Sequence, residues 1–79
     1  MKIYLYSTPG CHLCEQAKNI LWPVLLQYQF HLAEVDIAES DDLIEKYGTR
    51  IPVLSVANHV GELSWPFTSE QLDSFFAAL

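Results

Sequence analysis

Two cysteines spaced as C-x-x-C stand where a short apolar run gives way to a helix, and that junction constrains the fold more than any other feature. Cys11-His12-Leu13-Cys14 follows the run Ile3–Tyr6 and the turn Ser7-Thr8-Pro9-Gly10, and it precedes the helix-forming Glu15-Gln16-Ala17-Lys18. The pattern demands a strand, a tight turn and a helix whose first turn carries both thiols. Unpaired N–H groups and the positive end of the helix dipole stabilise a thiolate there, and the thiolate is the species that attacks disulfides. These are the chain's 2 cysteines, so they build no disulfide framework. A bridge between them closes too short a loop to stabilise much, which points to chemistry rather than stapling.

The 79 residues are consistent with one small domain over residues 1–79, with 51% hydrophobic residues to form a core. A chain of this length buries only somewhat more than ~60% of its unfolded surface. Ten acidic against 4 basic side chains give a formal net charge of −6, which argues against nucleic-acid and anionic-membrane partners. The acids are dispersed, as on a solvated surface. Met1-Lys2 runs straight into the first strand without the pattern of a signal peptide, and no apolar run approaches the ~18 residues of a membrane span. The expected address is a reducing cytoplasm, where a C-x-x-C signals redox or metal chemistry. A monomer is expected.

Along the chain, Ile3–Tyr6 reads as a central strand covered on both faces. Leu13, Ala17, Ile20, Leu21, Val24 and Tyr28 share one face of a helix. Pro23 interrupts it, predicting either a kink near Asn19–Pro23 or a stop at Trp22 with a fresh turn. Phe30–Ile37 alternates as a strand near a sheet edge. Ser40 is the expected N-cap of a second helix, with Asp41 and Asp42 in its first turn and Gly48 at its C-cap. Pro52–Ala57 and Val60–Leu63 read as strands joined by an Asn58-His59 turn. Thr68 and Gln71 form a capping box ahead of a buried stripe of Leu72, Phe75, Phe76 and Leu79. The order is β-α-β-α-β-β-α, with the first two strands parallel through a right-handed crossover and the last two a hairpin. Tyr4, Tyr6 and Trp22 are expected in or near the core, and His31 and His59 at the surface.

These segments resemble the thioredoxin fold in its short glutaredoxin-like form. Ile3–Cys14 is similar to the glutaredoxin strand and active-site loop. Tyr47-Gly48-Thr49-Arg50-Ile51-Pro52-Val53-Leu54 resembles the segment that carries the cis-proline in thioredoxins and glutaredoxins. Glu62-Leu63-Ser64-Trp65-Pro66-Phe67 is similar to the ending of a bacterial glutaredoxin-like family. The resemblance implies an α/β fold with a four-stranded mixed sheet and helices on both faces. It implies that Cys11 is the exposed nucleophile and Cys14 the resolving thiol. It implies a cis Pro52 facing the cysteines, with the Ile51 backbone pairing to a bound peptide or glutathione. Thr8 stands where many glutaredoxins carry a lysine, and the Gly-Gly-x-x-Asp pattern that holds glutathione is reduced to Gly61. No buried acid precedes the C-x-x-C, where Leu5 or Tyr6 stands, which leaves His12 or Glu15 as proton-handling groups.

Three readings of Cys11 and Cys14 stay open on the residues alone. A reactive dithiol would act on protein or glutathione disulfides and be recycled by glutathione or a reductase, with no bound metal or cofactor and with glutathione as a candidate co-substrate. A zinc or cluster site needs further ligands, and His31 and His59 lack paired spacing. A thioredoxin-like binding module would use the Trp65–Phe67 edge instead, although that segment also suits packing of the last helix on the sheet. His12⁺ beside Cys11 would favour the thiolate and a more oxidising disulfide. Arg50 is positioned either to contact a substrate carboxylate or to pair with the acidic second helix.

Overall fold

The first strand, β1 (Lys2–Ser7), occupies the centre of the sheet, because its neighbours pair on both sides. The computed structural model describes residues 2–57 and 61–79, so the expected turn at Asn58-His59, the start of the fourth strand at Val60 and the exposure of His59 lie outside the described residues. The order of elements is β1, α1 (His12–Tyr28), β2 (His31–Asp36), a 3-10 turn (Ile37–Glu39), α2 (Asp41–Tyr47), β3 (Val53–Val56), β4 (Glu62–Ser64) and α3 (Ser69–Ala77). The strand order is β2-β1-β3-β4. β1 pairs with β2 in parallel and with β3 antiparallel, and β3–β4 is an antiparallel hairpin. This is the mixed α/β sheet the sequence pattern requires.

Strand alternation divides the core in two. Ile3, Leu5, Leu54 and Val56 pack with Ala17, Leu21, Val24 and Leu25 of α1 and with Leu72 and Phe76 of α3. On the other face, Val53 packs with Ile37 and Tyr47, flanked by Tyr6, Leu43 and Ile51. One residue of offset along β3, from Val53 to Leu54, is the step from one core to the other. The helices therefore cover both faces, α1 and α3 on one and α2 on the other.

Several local expectations shift. α1 runs unbroken through Pro23 rather than stopping at Trp22. Asn19 and Pro23 are both exposed, so the Asn19 carbonyl that loses its partner faces water, while buried Leu21, Val24 and Leu25 hold the turn in register. The buried face of α1 runs through Cys14, Ala17, Leu21, Val24 and Leu25. Leu13, expected on it, is 45% exposed, and Trp22, expected near the core, is 47% exposed; Leu13 sits at the edge of that stripe in the first turn, and Trp22 points well away from it. The second strand ends at Asp36 instead of Ile37, because the Asp36 carboxylate accepts the Ala38 N–H at 2.9 Å and turns the chain, dropping Ile37 into the second core. Ser40 caps α2, and Thr68 and Gln71 form the expected capping box. Gly48 is the C-cap in right-handed conformation; a Cβ there would collide with the Ile44 carbonyl oxygen.

Candidate functional site

The parallel β1–β2 pair aims the C-terminal end of β1 at the turn that precedes α1. Gly10 takes a left-handed conformation (φ 78°) that a Cβ would disfavour, and Cys11 N–H donates to the Thr8 carbonyl at 3.3 Å. Cys11 then serves as the N-cap of a 17-residue helix in extended conformation (φ −79°, ψ 108°). Its Sγ accepts the Cys14 backbone N–H at 3.2 Å, the contact a cap side chain makes with the third helical residue. The helix start thus presents a hydrogen-bond donor and its positive dipole end to this sulfur.

The two thiols differ in environment. Cys11 is partly exposed, whereas Cys14 is 3% exposed and part of the helix's inner face. Their sulfurs stand at disulfide distance, with Cα atoms 5.2 Å apart. His12 is exposed at the first helical position. Glu15, the other expected proton-handling group, is exposed and pairs with Lys18 at 3.1 Å.

The Ile51–Pro52 segment lies at the same end of the sheet. Val53 pairs with Tyr6, so Pro52 falls opposite Ser7, four residues before Cys11. The Ile51–Pro52 bond is cis, and so is Trp65–Pro66, which sequence reading did not anticipate. Pro52 is buried and its carbonyl accepts the Trp65 N–H at 3.0 Å. The Ile51 N–H donates to the Tyr47 carbonyl at 3.1 Å and is thus paired within the chain.

Arg50 is not paired with the second helix, one of its two expected readings. Its guanidinium donates to Ser64 Oγ at 3.1 Å and pairs with Glu62 at 3.5 Å, both on β4, and not with α2. The hairpin accounts for this, since Ser64 faces Val53 across β3. Tyr47 completes the cluster: its ring stacks on Tyr6 with centroids 4.4 Å apart, its hydroxyl donates to Glu62, and Arg50 sits 5.6 Å from the ring centroid. Burial, and then this bond to Glu62, raise the Tyr47 pKa well above that of an ordinary phenol. In the Trp65-Pro66-Phe67 segment, Phe67 is 3% exposed in the larger core and Trp65 packs edge-on against it at 5.1 Å. The segment packs α3 onto the sheet, as one of its two sequence readings required.

Sequence reading passed over a cavity of about 200 Å³ beside Cys14, bounded by the Ser7–Gly10 turn, Lys18, Glu34 and Asp36. Lys18 bridges Glu15 on its own helix and Glu34 on β2, at 3.1 and 3.4 Å. The bond that Lys18 donates to Glu15 leads the influences that raise the Lys18 pKa above its ordinary value. Among the described residues, no three His, Cys, Asp or Glu side chains are grouped to hold a metal ion, and no helix is long and apolar enough to cross a membrane.

A central strand, a capped helix with a Cys pair at its start, and a cis-proline loop at the same end of the sheet define a thioredoxin-like protein carrying a C-x-x-C pair. Within that class the chain belongs to the glutaredoxin-like domain (DUF836) family, whose model matches residues 2–77. It is similar to the structural-genomics target protein XcR50 from X. campestris, at 33% identity and a TM-score of 0.85 in solution, over 100% of this chain and 96% of that one. It is similar to protein Ne2328 from Nitrosomonas europaea, at 29% identity and a TM-score of 0.80, over 94% and 88% of the two chains. Desulfothioredoxin from Desulfovibrio vulgaris Hildenborough shares the fold, with 19% identity, a TM-score of 0.71, and 99% and 80% of the two chains covered. No curated protein matches the chain.

Proposed function

We propose that the protein is a thiol–disulfide oxidoreductase acting on protein or glutathione disulfides through Cys11 and Cys14. The carrying observation is the asymmetry of the pair: Cys11 is accessible and its sulfur accepts an N–H at the helix start, while Cys14 is buried one turn inside. The Cys11 thiolate attacks a substrate disulfide. One substrate sulfur joins Cys11 as a mixed disulfide, and the other leaves as a thiolate that takes a proton from solvent. Cys14, once deprotonated, attacks the Cys11 sulfur, forms the intramolecular disulfide and expels the second substrate thiolate. The substrate disulfide is reduced by two electrons and the protein dithiol is oxidised by two. Glutathione or a reductase in a cytoplasmic setting would return those electrons.

The Ile51–Pro52 loop supplies alignment, its Ile51 carbonyl receiving an N–H of the bound substrate. Arg50, held by Glu62 and Ser64, presents a fixed guanidinium edge beside that loop for a substrate carboxylate. His12, when protonated, favours the Cys11 thiolate from the exposed side.

Titrating the pair in glutathione buffers, with thiols trapped by alkylation and the intact protein weighed, tests the reading. A reversible two-electron transition between dithiol and disulfide is expected. A pair that stays fully reduced or fully oxidised across the buffer range overturns it and makes a binding role the leading one.

A further inference from the structure

The resolving step poses a problem that the exposed half of the site does not solve. Cys14 is 3% exposed, and burial disfavours a thiolate. Its backbone N–H is directed at Cys11. Yet Cys14 must lose its proton before it can attack.

The cavity beside Cys14 contains the one device suited to this. Lys18 lies one helical turn after Cys14, at the spacing where side chains are neighbours on a helix, and both line the cavity with Glu15, Glu34 and Asp36. Lys18 is the only cation lining that cavity among the described residues. Its side chain is 20% exposed and is held from two elements, by Glu15 of α1 and Glu34 of β2. The Ser7–Gly10 turn contributes no titratable side chain to the lining, and His12 is exposed at the first position of the helix. The charge lining the cavity with Cys14 is thus one ammonium against three carboxylates, and among these side chains the ammonium alone favours a thiolate.

We infer that Lys18, clamped between Glu15 and Glu34, is a positioning residue that lowers the cost of ionising Cys14 in the resolving step. The inference rests on the oxidoreductase reading above. In the mixed disulfide, Cys14 gives its proton to water in the cavity, and its thiolate forms under the field of Lys18. It then bonds to the Cys11 sulfur while the bond from Cys11 to the substrate sulfur breaks. Glu34 orients Lys18 and also opposes the thiolate, so the two partners of one ion pair act on Cys14 with opposite sign.

That opposition separates an electrostatic role from a merely structural one. The reduced protein is mixed with one equivalent of an aromatic disulfide whose thiolate product is coloured. Attack by Cys11 releases the first equivalent of colour, and resolution by Cys14 releases the second. The pH profile of the second phase reads the ionisation of Cys14. Lys18→Gln is expected to slow that phase about tenfold at neutral pH and to move its midpoint up by about one pH unit, the equivalence of a tenfold change and one pKa unit. Glu34→Gln is expected to move the midpoint down, and Lys18→Arg to restore the wild-type profile. If Lys18→Gln and Glu34→Gln shift the midpoint in the same direction, or neither shifts it, the inference is overturned and the ion pair is only a tie between α1 and β2. If the wild-type protein releases no second equivalent, the oxidoreductase reading itself is overturned.

Discussion

Tyr47→Phe isolates the bond that secures the Ile51–Pro52 loop. Tyr47 ends α2 with 3% exposure, its ring stacked on Tyr6 and its carbonyl accepting the N–H groups of Arg50 and Ile51 at 2.8 and 3.1 Å. Its hydroxyl reaches across to Glu62 on β4. Phenylalanine keeps the ring, the stacking and the main-chain bonds, and removes only the hydroxyl. A hydrogen bond to a charged group contributes about 1.5–3 kcal/mol. Glu62 retains Arg50, and its side chain is 24% exposed, so water recovers part of that; the expected loss is about 1–2 kcal/mol. In a domain of this size each kcal/mol lowers Tm by roughly 4–8 °C. Urea denaturation of the oxidised wild-type and variant proteins at neutral pH measures the difference.

The alkaline side provides a second, independent sign. The phenol's pKa is raised in the folded protein, by burial first and by the bond to Glu62 next. Its contribution is therefore fully present below the unfolded-state value near about 10 and is lost as pH rises from there towards the folded-state value. The stability gap between wild type and Tyr47→Phe should narrow above that pH. Tyr28, whose pKa is raised chiefly by its bond to Asp73, weakens both proteins alike and cancels in the difference. A neutral-pH gap within the about 0.5 kcal/mol typical of featureless surface changes, or one that fails to narrow in alkali, would refute the reasoning.

Four further substitutions test other links of the argument. Leu54→Ala empties a fully buried site at the middle of β3 and should cost about 2–5 kcal/mol in urea denaturation, with the slope of the transition unchanged. Pro23→Ala restores a hydrogen bond on the exposed side of α1; a thermal melt should show a gain, at most about the 3 kcal/mol that separates the two residues in a helix interior, and a lower Tm would mean that the helix is built around the proline. Cys14→Ser should accumulate a mixed disulfide on Cys11 that intact mass detects after exposure to glutathione disulfide, whereas Cys11→Ser should form none at that position.

What could be read from the chain is what short-range chemistry encodes. The Cys pair at a helix start, Ser40 and Thr68 as caps, and the period of the β1 and α3 residues all follow from neighbours within a few positions. Pairings across the fold were out of reach. Glu62 meets Tyr47 and Arg50 only because β4 folds back on β3, and Glu34 meets Lys18 only because β2 returns beside β1 in parallel. The helical wheel also misled at Leu13, and residue type alone misled at Trp22. Hydrophobicity placed both inside, but the buried arc of α1 is filled by Cys14, Ala17, Leu21, Val24 and Leu25.

The same distinction explains how a small domain fits two unlike thiols into four residues. Helical geometry alone separates them: the N-cap position leaves Cys11 at the solvent edge, and a turn of three residues carries Cys14 onto the face packed against the sheet. That half of the asymmetry is local, and any C-x-x-C at a helix start has it. The other half is tertiary, because burial that shields Cys14 also makes its thiolate costly. A charge able to offset that cost must lie close to Cys14 without unfolding the helix, and Lys18 does so from the next turn while β2 supplies the carboxylate that keeps it there. The parallel β1–β2 crossover therefore does more than complete the sheet: it brings a strand-borne acid to the one lysine that borders the buried thiol.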